Sequence, residues 1–543
     1  MKKIFFLLPL ILSAWFTSTA QQTENKIQPR LVIGIVVDQM RFDYLYRFYD
    51  QYGENGFKRI LREGMNFSFA QYNYIPTYTG PGHSSIYTGS VPYYHGIISN
   101  DWYDKKLKKT IYCVYNDSVK TVGADNSSGK MSPKNLLATT MTDQLRMSNN
   151  GCSKVYSISI KDRAAVLPGG HMANAVYWYD GKSGNFVSST YYMNTLPDWV
   201  LKFNDRKLPL KLMSNNWLLE KNKSYTVSLP DDGPGEKDVF KEGKTTFPHE
   251  FAKLAESKKL DAIRSTPFGN ELLADFLTAL LKNEKPGKGK YCDFIAISFS
   301  STDYVGHAYG PNSVEIMDTY LKLDKQIARI LDTLDLYVGK GNYLLFLTAD
   351  HAVKPNAKYL EANRIPANDV DEANVKARLS GFCKEQFGDT HVIEAFQDNQ
   401  IYLNHPVMDS LRLDLKSVND KLISFIRQKF PFIGTILTKE QLITREPSRS
   451  MNSFILNGFN IKRSGDILFE MTPNELLTDP GESATSHASF YDYDTHVPLL
   501  FFGWHVKPGE SNQEVFVEDI APTVCNLIHI QEPDATIGVP VIK

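Results

Sequence analysis

The chain has 543 residues, enough for one large core domain with insertions or for two domains sharing a cleft. Its 60 Lys and Arg nearly balance 61 Asp and Glu, a formal charge of -1. That balance removes the electrostatic ground for a dedicated nucleic-acid partner, so any preference for phosphate has to be local.

The amino terminus reads Met1-Lys2-Lys3, an apolar run from Ile4 to about Trp15, then Ser18-Thr19-Ala20. Basic start, short apolar run and small residues predict a secretory signal peptide over residues 1–20, cleaved after Ala20, and a periplasmic or secreted mature chain from 21 to 543. The run is shorter than the ~20 apolar residues of a bilayer span, and no later stretch is apolar enough, so no membrane span is expected.

Leu31 to Val37 is a continuous apolar, β-branched run that ends at Asp38 and predicts a strand buried on both faces. Thr79 follows in Tyr78-Thr79-Gly80-Pro81-Gly82-His83, where Pro81 suits a first helical turn and the glycines let a ligand approach the backbone. A hydroxyl there lies beside unpaired N–H groups that favour an anion; it can equally serve as a helix cap. Thr77 is its nearest rival, and His83 a rival base.

The strand pattern recurs at Lys154 to Ile160, leading to Lys161, Asp162 and Arg163. It recurs at Asp293 to Phe299, leading to Asp303, and at Tyr343 to Thr348, leading to Asp350 and His351. Helical periodicity runs through Glu271–Lys282 and Ser313–Leu334. The expected fold is therefore α/β: a mostly parallel central sheet with helices on both faces and its polar residues beyond the carboxyl ends of four strands. Two stretches fit the alternation poorly and read as insertions, a cap at about 169–266 and a smaller α+β subdomain at about 354–483, with helical periodicity from Val418 to Lys429.

Asp303 and His307 stand four apart, so a helical turn would put both on one side. His487, in Thr485-Ser486-His487-Ala488-Ser489, is preferred as a ligand to His496, which abuts an apolar run and reads as structural. Three carboxylates and three imidazoles, Asp38, Asp303, Asp350, His307, His351 and His487, suffice for two zinc-like divalent ions, and a hydroxyl beside such ions is a nucleophile. The five cysteines (113, 152, 292, 383 and 525) lack a C-x-x-C pair, so they make no structural zinc framework, and an oxidising compartment allows one or two disulfides.

In this order the segments VVDQM, TYTGPGH, YTGSVPYYHGIISN, STDYVGH, TADHA and TSHAS resemble the alkaline phosphatase superfamily over almost the whole mature chain, and most closely its secreted PafA-type alkaline phosphatases. The resemblance implies two Zn2+, one held by Asp38, Thr79, Asp350 and His351 and the other by Asp303, His307 and His487. It also implies that Thr79 is the nucleophile and that Asn100, Lys161 and Arg163 bind phosphate. Lys161 and Arg163, two apart at a strand end, project to one face if the chain stays extended.

The expected activity is a broad phosphomonoesterase acting on small phosphate monoesters through a phosphothreonine, working as a monomer. A threonine nucleophile and Asn100 also fit the phosphodiesterase and nucleotide pyrophosphatase branch, and Lys161 and Arg163 favour the monoesterase. A sulfatase is disfavoured, because Thr79 and His83 replace the Cys or Ser and the Arg that formylglycine formation requires. A noncatalytic metal- or phosphate-binding protein is the remaining alternative.

Overall fold

Four apolar runs set the frame of the molecule. The computed structural model describes residues 28–478 and 483–542, so the expected signal peptide lies outside the described residues. Ten strands form the central sheet: β1 (Leu31–Val37), β2 (Met65–Gln71), β3 (Thr121–Val122), β4 (Val155–Ser159), β5 (Ala175–Asp180), β6 (Asn185–Ser189), β7 (Asp293–Phe299), β8 (Tyr343–Thr348), β9 (His496–Gly503) and β10 (Gly509–Phe516). Their spatial order is β10-β2-β9-β8-β1-β7-β4-β5-β6-β3, and all but β6 and β9 run in one direction. Every residue of β1, β7 and β8 is buried. Since successive strand side chains point to opposite faces, both faces of the sheet centre are covered.

The helices that matter for the site are α1 (Thr79–Thr88), α2 (Asp162–Gly169), α3 (Pro267–Glu284), α4 (Ser301–Tyr309) and α5 (Val314–Leu334). α5 starts where the Ser313 hydroxyl accepts the Ile316 N–H, and it buries Ile316, Tyr320, Leu323, Ile327, Ile330 and Leu334 at three- and four-residue spacing. Burying each such aliphatic side chain stabilises the fold by about 1.5–3 kcal/mol.

Register aligns the polar residues. Val36 pairs with both Thr348 and Ser298, and Ser298 with Ser159. Two residues beyond those partners come Asp38, Asp350, Ser300 and Lys161, so the four strand ends release their polar residues level with one another.

The segment 169–266 divides. Its first part supplies β5 and β6, because Asp180-Gly181 belongs to the turn of a hairpin at the sheet rather than to a separate cap. From Thr190 onward short helices and loops lie over α4 and α5, where Trp217 Nε1 (2.7 Å) and Tyr225 OH (2.6 Å) donate to the buried Asp318. The segment 354–483 builds its own four-stranded antiparallel sheet, in order Ile393–Gln397, Gln400–Leu403, Ile467–Met471, Ile433–Thr438. Leu379, Leu422, Ile426 and Phe469 share a separate core there, between that sheet and the helices Glu372–Phe387 and Leu415–Lys429. All five cysteines are free thiols, and among the described residues no helix is long and apolar enough to cross a membrane.

Candidate active site

The three carboxylates arrive by different routes and meet. Asp38 follows β1 directly and Asp350 comes two residues after the end of β8, while Asp303 sits in the first turn of α4, and all three are at most 3% exposed. Helix α1 packs so tightly on this corner that a Cβ at Gly82 would lie 2.2 Å from the Asp350 carbonyl oxygen, which is why glycine stands there.

The imidazoles are held in one tautomer by the backbone. Nδ1 of His307 faces the Thr485 carbonyl at 2.8 Å, that of His351 the Ala352 carbonyl at 3.0 Å and that of His487 the Thr77 carbonyl at 2.6 Å. A carbonyl only accepts, so each Nδ1 carries a proton and Nε2 is the nitrogen that offers a lone pair when the ring is neutral; against the pull of burial, Asp303 raises His307 above the usual histidine range and favours its charged form. These Nε2 atoms lie 3.1 Å (His307) and 3.7 Å (His487) from Asp303 Oδ1, and 3.5 Å (His351) from Asp38 Oδ1. Burial, then the nearby imidazoles of His351 and His307, push His487 well below the usual histidine range, which keeps it neutral.

This arrangement fits divalent cations. Both Asp38 oxygens, Asp350 Oδ2 and His351 Nε2 are buried without a hydrogen bond, although Lys161 Nζ approaches Asp38 Oδ2 to 2.8 Å. Burial, reinforced by Asp350, pushes the Asp38 carboxyl well above the carboxylate range, so one ammonium does not balance the acids. Among the described residues two groups bring three ligand atoms within 4.8 Å of one another: Asp38, Asp350 and His351, and Asp303, His351 and His487. His351 thus stands between the two sets, its ring stacked 3.5 Å from that of His487, while His307 meets the second set through Asp303.

Thr79 is the first residue of α1, whose amino-terminal cap is Tyr78 without a side-chain bond. Its hydroxyl therefore does not cap the helix; Oγ1 lies 3.5 Å from Lys161 Nζ and 3.4 Å from Arg163 Nη2. Asn100 Oδ1 accepts the Gly80 N–H at 2.8 Å, which leaves its NH2 free to donate. Lys161 and Arg163 do not reach the site from an extended chain. Lys161 caps α2 and Arg163 lies in that helix's first turn, yet both cations converge on Thr79. Lys161 Nζ also pairs with Asp303 Oδ2 at 2.5 Å, and the acids hold its ammonium above its ordinary value against the pull of burial.

The rivals are occupied. Thr77 Oγ1 donates to the Ser489 carbonyl, and His83 is fixed between the Thr79 carbonyl, Asp350 and Ser298 Oγ. His496 stacks on Phe42 and bonds the Ser68 carbonyl, away from the cluster.

Three contributors lie outside the residues that the sequence singles out. Gln39, at φ 64°, donates from Nε2 to Asp303 Oδ1 (2.7 Å) and from its backbone N–H to Asp350 Oδ1 (3.2 Å). Tyr112 OH bridges Asp162 and Arg163. Asp494 Oδ2 accepts from Ala488 N, Ser489 N and Ser489 Oγ, holding the loop that carries His487, and burial pushes its carboxyl up to about 7. The composite Val36-Val37-Asp38-Gln39 motif could have pointed to Gln39; only the fold brings the other two in.

A family model described as type I phosphodiesterase / nucleotide pyrophosphatase matches residues 32–489. Alkaline phosphatase PafA of Elizabethkingia meningoseptica is 42% identical over 96% of each chain. The crystal structure of wild-type PafA superposes with a TM-score of 0.90 at 40% identity, over 95% of this chain and 98% of that one. Alkaline phosphatase PhoV of Synechococcus elongatus is 43% identical over 98% of each chain. A protein of Myroides odoratus named calcium-transporting ATPase is 40% identical, covering 97% of this chain and 96% of its own.

Proposed function

The chain belongs to the type I phosphodiesterase / nucleotide pyrophosphatase family of the alkaline phosphatase superfamily, and from that premise we propose that it is an exported, zinc-dependent alkaline phosphatase acting on phosphate monoesters. The observation that carries the choice of ester is the convergence of Lys161 Nζ and Arg163 Nη2 on Thr79 Oγ1. A monoester dianion concentrates charge on its terminal oxygens, where two cations neutralise it, whereas a diester puts a second organic group there. ATP presents the same kind of terminal phosphoryl group, so the name ATPase on one relative needs no separate chemistry.

Asp38, Asp350 and His351 with Thr79, and Asp303, His307 and His487, are donor sets that suit two zinc ions, which when bound supply Lewis acidity that lowers hydroxyl and water pKa values and stabilises the leaving oxygen. Thr79 Oγ1 attacks phosphorus in line; the Oγ1–P bond forms, the ester P–O bond breaks and the leaving group departs as its alcohol after taking up a proton. Water then cleaves the phosphothreonine, releasing phosphate and restoring the hydroxyl. Arg163, Lys161 and the Asn100 amide bind the nonbridging oxygens, and Tyr112 and Asp162 orient the guanidinium for that task.

Arg163 makes the sharper test, because Lys161 also touches the ligands Asp38 and Asp303. With zinc supplied, Arg163→Ala should lower kcat/KM for an aryl phosphate by about 10²-fold and for the matching diaryl phosphate by less than about tenfold. An equal loss on both esters would remove the assigned role, and wild-type preference for the diester would favour the phosphodiesterase.

A further inference from the structure

The larger cavity beside the site is unlike the protein as a whole. The nucleophile's phosphate-binding residues Lys161 and Arg163 line a cavity of about 310 Å³. Arg264 and Tyr304 line that cavity and also a second one of about 680 Å³, so the two share a wall. Tyr304 follows Asp303 on α4 and lies with its ring 5.2 Å from Lys161 Nζ. Arg264 and Tyr304 thus border both cavities, and the second one, whose volume suits a small molecule, lies next to the one that receives the phosphate.

The lining of that cavity is basic in a chain whose formal charge is -1. Lys241, Lys244, Lys253, Lys258 and Arg264 stand against three carboxylates, Glu242, Glu250 and Asp261, so positive charge is in excess there. Two of those carboxylates are already engaged, Asp261 by Arg264 at 3.3 Å and Glu242 by His249 at 3.1 Å. Lys241, Lys253 and Lys258, by contrast, have no carboxylate partner among the described residues. Phe240 and Leu254 supply an apolar wall for a carbon skeleton.

We infer that this cavity is the leaving-group subsite and that it favours phosphate esters whose leaving group carries a second phosphate, the reacting phosphoryl group at Thr79 and the second against Arg264 and the lysines. The inference rests on the phosphatase reading above and names the substrate class of the same site. Cations on mobile stems around a solvated cleft attract a phosphate without fixing its exact position, so the subsite accommodates skeletons of different length.

A matched pair isolates the second phosphate: butane-1,4-diol bisphosphate and 4-hydroxybutyl phosphate, assayed with metal-loaded full-length protein at fixed ionic strength. Counted per phosphate, kcat/KM should be about tenfold higher for the bisphosphate, the size of one charge-assisted contact, and the advantage should shrink as salt is raised. The exposed double variant Lys253→Ala/Lys258→Ala should cut the advantage to about threefold while leaving hydrolysis of 4-hydroxybutyl phosphate unchanged. Arg264→Ala, checked for folding by its thermal transition, should bring the ratio of the two kcat/KM values close to one. Equal wild-type kcat/KM for both esters, or an advantage untouched by both variants, overturns the subsite. Failure to hydrolyse either ester overturns the phosphatase reading itself, and the subsite with it.

Discussion

The strand-end cluster and a second cluster in the segment that covers α4 and α5 contain the same ingredients, imidazole and acids that are buried or half-buried, but handle them differently. At the strand ends every histidine gives Nδ1–H to a backbone carbonyl and turns Nε2 toward the carboxylates. In the covering segment His249 faces a carboxylate on both sides, Glu242 at Nδ1 (3.1 Å) and Glu315 at Nε2 (3.2 Å), and has no lone pair left to offer. Asp231 and Glu315 lie close enough to share a hydrogen bond, which requires a proton on one of them. Neither Glu236, Glu315 nor Asp231 enters a group with three ligand atoms within 4.8 Å among the described residues. The difference teaches that burial of acids does not by itself make a cation site. Backbone-anchored imidazoles leave ligand atoms of three residues facing one another at the strand ends, whereas in the covering segment the acids and the imidazole bond to each other.

The sharpest way to break that comparison is to delete one side chain from each region. Thr79→Ala should lower kcat for an aryl phosphate by at least about 10³-fold with an unchanged thermal transition. His249→Ala should do the reverse, leaving kcat within about twofold while the apparent Tm falls, because it leaves the buried Glu315 and the half-buried Glu242 without their partner. Full activity in Thr79→Ala would end the mechanism.

Chelation separates the clusters by a second route. Stripping divalent metal should abolish activity and lower the apparent Tm, since a ligand held at 1,000 times its Kd stabilises the folded state by about 4 kcal/mol. Zinc should restore both, and His249→Ala should respond as the wild type does, because among the described residues its cluster brings no three ligand atoms together. A metal response that depends on His249 would erase the distinction.

A smaller effect tests the support of the first cluster. Gln39 ties Asp303 to Asp350 from a left-handed backbone position, and Gly306 has no side chain because a Cβ there would lie 1.8 Å from Gln39 Oε1. Gln39→Gly keeps that backbone conformation free of strain and removes the whole side chain, and with it the bond to Asp303, while the backbone N–H to Asp350 remains. Metal affinity should fall about tenfold, read by competition with a chelator, with a similar loss in kcat/KM.

What the sequence made legible follows from these same contrasts. Asp38 and Asp350 stand out because each ends a fully apolar run, and strands β1, β7 and β8 have the bounds that their composition suggests. Asp303 and His307 are visible through helical spacing. Tyr112 and Asp494 are not: Tyr112 reaches Arg163 from 51 residues away, and Asp494, though only five residues past Ser489, looks like any acid of a polar turn until the loop that it holds is folded. The approach of Lys161 and Arg163 was legible as a pair but not as a geometry, because a helix begins between them. The hairpin β5–β6 was hidden for a related reason: its turn residues look like those of an irregular cap until the sheet edge is known.

The finest test concerns the protons in the second cluster. Burial first, and then repulsion from Glu315, push the Glu236 carboxyl from 4.5 up to about 9. The folded state therefore binds a proton that the unfolded chain has already released, and its contribution to stability is complete below about pH 4.5 and lost as pH rises toward about 9. Glu236→Gln removes that proton exchange while keeping a side chain of the same size and the capacity to donate. The apparent Tm of the variant should decline less than that of the wild type between pH 5 and 9, with a gain of about 1–2 °C at the alkaline end. Activity profiles on a small monoester should superimpose over the same range, because Glu236 lies in the cluster that takes protons and not in the one that meets Thr79. Parallel Tm profiles would mean that Glu236 is ionised in the folded protein, which would require a cation beside it and would make the two clusters alike.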